Sequence, residues 1–164
     1  MSTSERNLNV AWWALRIGLG AGMVLTGIDK FFNILATWSM YMSALAERLL
    51  PVSDAVFLRV VGVGEALIGL GILTRWTRSA GYLLALWLLA TACNLAVTGN
   101  FWDLALRDVE IALGSFALAR LTEWRAAVAA REVEPDARGP EPRAPERAAR
   151  NGRTTSFTEG RETP

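Results

Sequence analysis

The chain has 164 residues, 52% hydrophobic and 20% charged, with 17 basic and 16 acidic side chains and a formal net charge of +1. A mean hydropathy of +0.25 is high for a soluble chain of one-domain length. There is no histidine and a single cysteine, Cys93. That inventory excludes imidazole metal or haem ligands, Ser-His and Cys-His nucleophile pairs, an internal disulfide and a thiolate zinc site. No metal and no bound cofactor are expected.

Four apolar stretches of 18 or 19 residues follow in order, at 10–28, 56–73, 80–97 and 104–121. At 1.5 Å per residue each reaches roughly 27 Å, close to the thickness of a hydrocarbon core. A soluble bundle would give every helix a polar outward face. Here one to four charges are scattered in each of three stretches, and 80–97 has none. The expectation is an all-α integral membrane four-helix bundle occupying 10–124, multi-pass in the bacterial inner (cytoplasmic) membrane and in contact with its lipids.

Residues 1–9 precede the first span as an N-terminal cytoplasmic segment. The span contains Arg16 and is followed by no A-x-A-like site, so it is expected to stay as a helix rather than act as a cleaved signal peptide. Between spans one and two, Ile34, Trp38, Tyr41, Met42, Leu45 and Leu49 recur at helical spacing and Pro51 stops the run. Residues 34–50 therefore read as an amphipathic helix in the first outer loop, either lying on the leaflet or closing over a site between the helices.

Orientation follows from lysine and arginine beside the spans. Arg6, Arg75, Arg78, Arg125 and Arg131 flank one side, whereas the first loop offsets Lys30 and Arg48 with Asp29, Glu47 and Asp54. Both termini are placed in the cytoplasm. Trp12, Trp13, Trp76 and Trp124 lie at that surface and Trp102 at the outer one; Trp87, mid-span, breaks the belt. Residues 125–164 form a Pro-rich tail with charges of both signs, expected to continue the last helix briefly and then to be mostly disordered. Its charges nearly cancel, so no nucleic acid is expected as a partner.

Ionisable residues within apolar spans cost about 2.5–3.5 kcal/mol each on insertion scales, so they pair or line a polar cavity. Arg16, Arg59, Glu65, Arg107, Asp108 and Glu110 qualify, with Asp29 and Lys30 at the outer end of span one. Counting residues from the span ends matches Arg16 to Glu65 and Arg59 to Asp108 in depth, and places Asn94 in the outer third of span three. Arg107 and Glu110 are i, i+3 neighbours. The set is either a group of helix clamps or an intramembrane polar site of Arg16, Lys30, Glu65, Glu110, Arg59, Asp108 and Asn94. Among the glycines, Gly18 and Gly22 form a G-x-x-x-G, expected to pack spans one and two together, with a homodimer seam as the other use.

The order of Arg16 with its glycines, Gly27-x-x-Lys30-Phe31, Leu50-Pro51, Glu65 followed by Gly69 and Gly71, Thr74-Arg75, and Glu110 in the last helix resembles the DoxX family of small bacterial membrane proteins. The resemblance covers about 13–121. It implies a four-helix membrane protein linked to redox systems, akin to DoxD-type subunits of thiosulfate:quinone oxidoreductases, with Arg16, Lys30, Glu65 and Glu110 as the polar site. It departs at the end of the last helix, where this chain reads Ala119-Arg120-Leu121-Thr122-Glu123-Trp124. The expected function is a membrane component of a quinone-linked or thiol-linked redox system, with quinone as a diffusible substrate and a redox protein as partner. The alternatives are a non-enzymatic scaffold or assembly partner, and a carrier of a small polar solute or protons; a homo-oligomer is compatible with all three.

Overall fold

The computed structural model describes residues 3–44, 48 and 52–133. These are all-helical, with four long helices: α1 (Thr3–Phe32), α2 (Asp54–Leu73), α3 (Thr77–Thr98) and α4 (Trp102–Val133). The first three are long and apolar enough to cross a membrane. α4 has the length, but Arg107, Asp108, Glu110 and Arg120 interrupt its apolar stretch. Large apolar side chains cover the outside of the bundle, among them Ile17, Leu25, Val60, Leu67, Leu86 and Leu113. Its interior holds Ile72, Leu84, Leu88 and Leu118 together with many alanines and glycines.

Several boundaries differ from the sequence expectation. α1 already begins at Thr3, so the segment before residue 10 is helical, held by a hydrogen bond from Arg125 to Asn9. α4, by contrast, runs on to Val133, the brief continuation of the last helix expected for the start of the tail; the rest of the tail lies outside the described residues. The expected amphipathic helix at 34–50 is not continuous. Its first part is irregular backbone with one 3-10 turn, Trp38–Tyr41, and residues 45–47, 49 and 50 lie outside the described residues.

The α1–α2 seam is built on glycine, though not on the expected pair. A side chain on Gly27 would stand 2.6 Å from the Gly62 carbonyl oxygen and 2.7 Å from the Ala66 nitrogen. One on Gly69 would stand 2.7 Å from the Gly20 carbonyl oxygen. Gly20 thus faces Gly69 and Gly27 faces Gly62, antiparallel and seven residues apart, which lets the two backbones touch. Gly18 and Gly22 have open space around them: the G-x-x-x-G spacing identifies a face of the helix, and that face points outward.

α3 and α4 approach at Gly81, where the Ser115 hydroxyl donates to the Gly81 carbonyl at 2.8 Å. Gly99, at φ 76°, ends α3 in the left-handed conformation that favours glycine. Short links 74–76 and 99–101 make α2, α3 and α4 successive antiparallel neighbours.

Candidate functional site

The polar residues gather at the two ends of the bundle. One end carries the α1–α2 and α3–α4 loops, the other the first turns of α1 and the last turns of α4.

At the loop end, Lys30 Nζ donates to Glu65 Oε2 at 2.5 Å, and both side chains are more than nine-tenths buried. The other carboxylate oxygen, Oε1, accepts from the Trp87 indole at 3.2 Å. The Lys30 ammonium also lies 3.7 Å from the centre of the Trp38 ring, a cation–π contact that roofs the ion pair. Trp38 is held there by Asp29, whose Oδ2 accepts from the indole N–H at 2.8 Å. The second Asp29 oxygen accepts from the backbone N–H groups of Ile34 and Leu35. Asn33, at φ 52°, turns the chain out of α1 and makes this geometry reachable. Asn94 pins the same loop from α3: its Nδ2 donates to the Tyr41 carbonyl at 2.7 Å and its Oδ1 accepts from the Ser43 N–H at 3.3 Å.

A cavity of about 250 Å³ lies beside the pair, lined by Lys30, Asn33, Ser39, Asp54, Leu58 and Arg59 among others. Lys30 is therefore shared between the buried ion pair and the cavity. Arg59 is exposed at its wall.

The expected Arg16–Glu65 pairing does not form. Arg16 Nε donates to the Ile72 carbonyl at 2.9 Å, and Nη2 donates to those of Leu73 and Thr74 at 2.7 and 2.6 Å. The reason is directional. Side chains on a helix lean toward its N-terminus, so Arg16 on α1 leans to the terminal end while Glu65 on antiparallel α2 leans to the loop end. Equal Cα depth then separates their tips. The same tilt carries Lys30 inward to meet Glu65. Arg16 instead satisfies the last carbonyls of α2, where the helix dipole also favours a cation.

Arg59 and Asp108 do not meet either. Asp108 is buried, accepts from the Thr91 hydroxyl at 3.1 Å and has Arg107 at 3.6 Å. Glu110 is exposed on the outer face of α4, away from Lys30–Glu65. Of the seven expected site residues, the structure thus brings Lys30 and Glu65 together, with Arg59 beside them and Asn94 holding the loop. Arg16 belongs to the other end.

Trp38, Trp87, Asp29 and Thr91 complete the polar arrangement and were not among the expected site residues. Trp87 carried a readable signal: an indole N–H in mid-span needs an acceptor, and a buried carboxylate is a fitting one. At the terminal end, Trp12 donates to the Thr122 hydroxyl at 2.8 Å and lies between the guanidinium groups of Arg16 and Arg125, at 4.8 and 4.3 Å from its ring. Glu123 gathers Tyr82, Arg78 and Arg120 nearby.

No buried side-chain polar atom lacks a partner among the described residues, and no group of side chains there could hold a metal ion. No protein-family profile, curated protein or solved structure matches the chain.

Proposed function

We propose that the chain is a four-span, DoxX-like protein of a bacterial cytoplasmic membrane, with both termini in the cytoplasm and the loop end facing outward. In this reading α4 crosses with its buried carboxylate, Asp108, bonded to Thr91 of α3. Reporter fusions at Arg78 and Arg131 are expected to read cytoplasmic and one in the 34–50 loop external; an external Arg78 overturns the topology.

The activity that fits best is as the membrane component of a quinone-linked redox system. One observation carries this reading: Lys30 is buried against Glu65 yet also lines the cavity at the loop end. An ammonium in that place donates a hydrogen bond to a carbonyl oxygen of a quinone head group. Glu65 behind it holds that ammonium in place. Reduction of a quinone to the quinol takes two electrons and two protons. The electrons come from a reduced partner protein, which is oxidised. One proton passes from the Lys30 ammonium to the oxygen it bonds, the second comes from water in the cavity, and water also re-protonates Lys30. With one cysteine and no histidine, the chain has no dithiol and no imidazole ligand for a haem of its own. Trp38 covers the pair and slows exchange with water.

Native mass spectrometry of the protein extracted with its lipid is the test. Wild type should retain a quinone-sized ligand, Lys30→Met should lose it, and Arg16→Gln should keep it. Equal retention in wild type and Lys30→Met overturns the assignment. A scaffold role has one observation in its favour, the complete pairing of buried polar groups. Capture of a partner protein that survives Lys30→Met would support it.

A further inference from the structure

The outward face of α4 carries charge where a lipid-facing helix should be apolar. Arg107 and Glu110 are both exposed, Arg107 with 61% of its side chain accessible. Below them on the same stripe, at the 4, 3 spacing of a helix seam, follow Gly114 and Ala117. Gly114 has open space where a side chain would stand. Counted from Trp102, Arg107 and Glu110 lie roughly 7 and 12 Å along the helix. Arg107 is long enough to reach back toward the surface, and it has Asp108 at 3.6 Å. Glu110 is shorter and deeper, and its side chain has no hydrogen-bond or ion-pair partner among the described residues. A carboxylate left against acyl chains at that depth is strongly disfavoured.

We propose that this face of α4 is a homodimer seam, in which a second copy of the chain covers the stripe about a two-fold axis parallel to the bundle. The inference rests on the four-span reading above, which places α4 in the membrane. The occupant follows from charge: a face with a cation and an anion three residues apart is its own complement. Two-fold symmetry brings Arg107 of each copy to Glu110 of the other, so that one contact is made twice. Gly114, one turn below Glu110, lets the backbones close to the distance at which such pairs exclude lipid. The Lys30–Glu65 site faces the interior of each protomer and is left free by this arrangement.

Cysteine cross-linking in native membranes tests the seam, with the native thiol removed by Cys93→Ser. Gly114→Cys should give a disulfide-linked dimer at twice the chain mass, whereas Gly22→Cys on the outward face of α1 should not. Adding Glu110→Arg sets like charges face to face and should reduce the cross-linked fraction by about tenfold, equivalent to about 1.4 kcal/mol. The double exchange Arg107→Glu with Glu110→Arg should restore it.

Gly114→Cys that is protected from a membrane-impermeant maleimide but forms no dimer overturns the seam while leaving the span intact. Rapid labelling by that maleimide would show that α4 does not cross, and both readings fall. A cross-link to a chain of different mass overturns the choice of occupant, as does a double exchange that fails to restore the dimer while its membrane-inserted level equals wild type.

Discussion

The two ends of the bundle solve the same problem, a cation on α1 near apolar surroundings, in opposite ways. At the terminal end, Arg16 is half-exposed and spends its donors on the backbone of α2. At the loop end, Lys30 is buried, bonded to one carboxylate and roofed by an indole. The first arrangement is a helix cap: it uses carbonyls that any sequence would present and leaves no side chain waiting. The second is specific, since each member depends on a particular partner. Of these two cations on α1, only Lys30 faces a carboxylate.

Substitution should separate the ends clearly. The largest effect belongs to the buried pair. Glu65→Gln strands the Lys30 ammonium and should cost about 3–5 kcal/mol, somewhat less where water reaches the cavity. Lys30→Met together with Glu65→Leu should cost far less than the two single changes combined. Thermal unfolding in detergent, followed by circular dichroism, measures all three. Additive losses would mean that the pair is not coupled, and the contrast between the ends would collapse.

The glycine seam between the ends comes next. Gly27→Ala drives a methyl group into the Gly62 and Ala66 backbone and should cost about 1–3 kcal/mol, the usual range for overpacking. Gly22→Ala meets nothing and should be neutral or slightly stabilising. Equal effects at the two sites would place the wrong face of α1 against α2.

Arg16→Gln should cost about 1–2 kcal/mol, the range for charge-assisted hydrogen bonds that are partly solvated. Combined with Glu65→Gln, the losses should add within about 0.5 kcal/mol, because the residues share no partner. A strong coupling between them in the same unfolding measurement would restore the Arg16–Glu65 pairing that the structure rejects.

The smallest effect is expected at the roof. Trp38→Phe keeps a ring over Lys30 but loses the bond to Asp29, a change of about 1 kcal/mol or less. Its clearer readout is access: a water-soluble carbodiimide should modify Glu65 faster in the variant than in wild type. Unchanged labelling would show that Trp38 does not shield the pair.

The helices were legible because hydropathy and length are averages over many residues, and such sums survive local exceptions. The charged residues at odd depths were legible for the same reason. Their partners were not, because pairing depends on the last few ångströms of side chain rather than on the Cα position. Lys30, placed at the edge of the first span, reaches inward to Glu65, while Arg16 at Glu65's own depth leans away. Gly18 and Gly22 failed similarly: their spacing defines a face, and nothing in the spacing says what that face meets. Trp87 was the readable exception, a donor in an apolar span that required an acceptor.

The position of Glu65 along α2 has an electrical consequence. It is the twelfth residue of a 20-residue helix, so in a bundle that spans the bilayer a charge held there sits within the membrane field, in which a full crossing is worth about 2.3 kcal/mol per elementary charge per 100 mV. Lys30 brings the opposite charge to the same place, so the bonded pair is neutral as a unit and the field exerts almost no net force on it. A pairing required by burial thus also insulates the helix from the membrane potential.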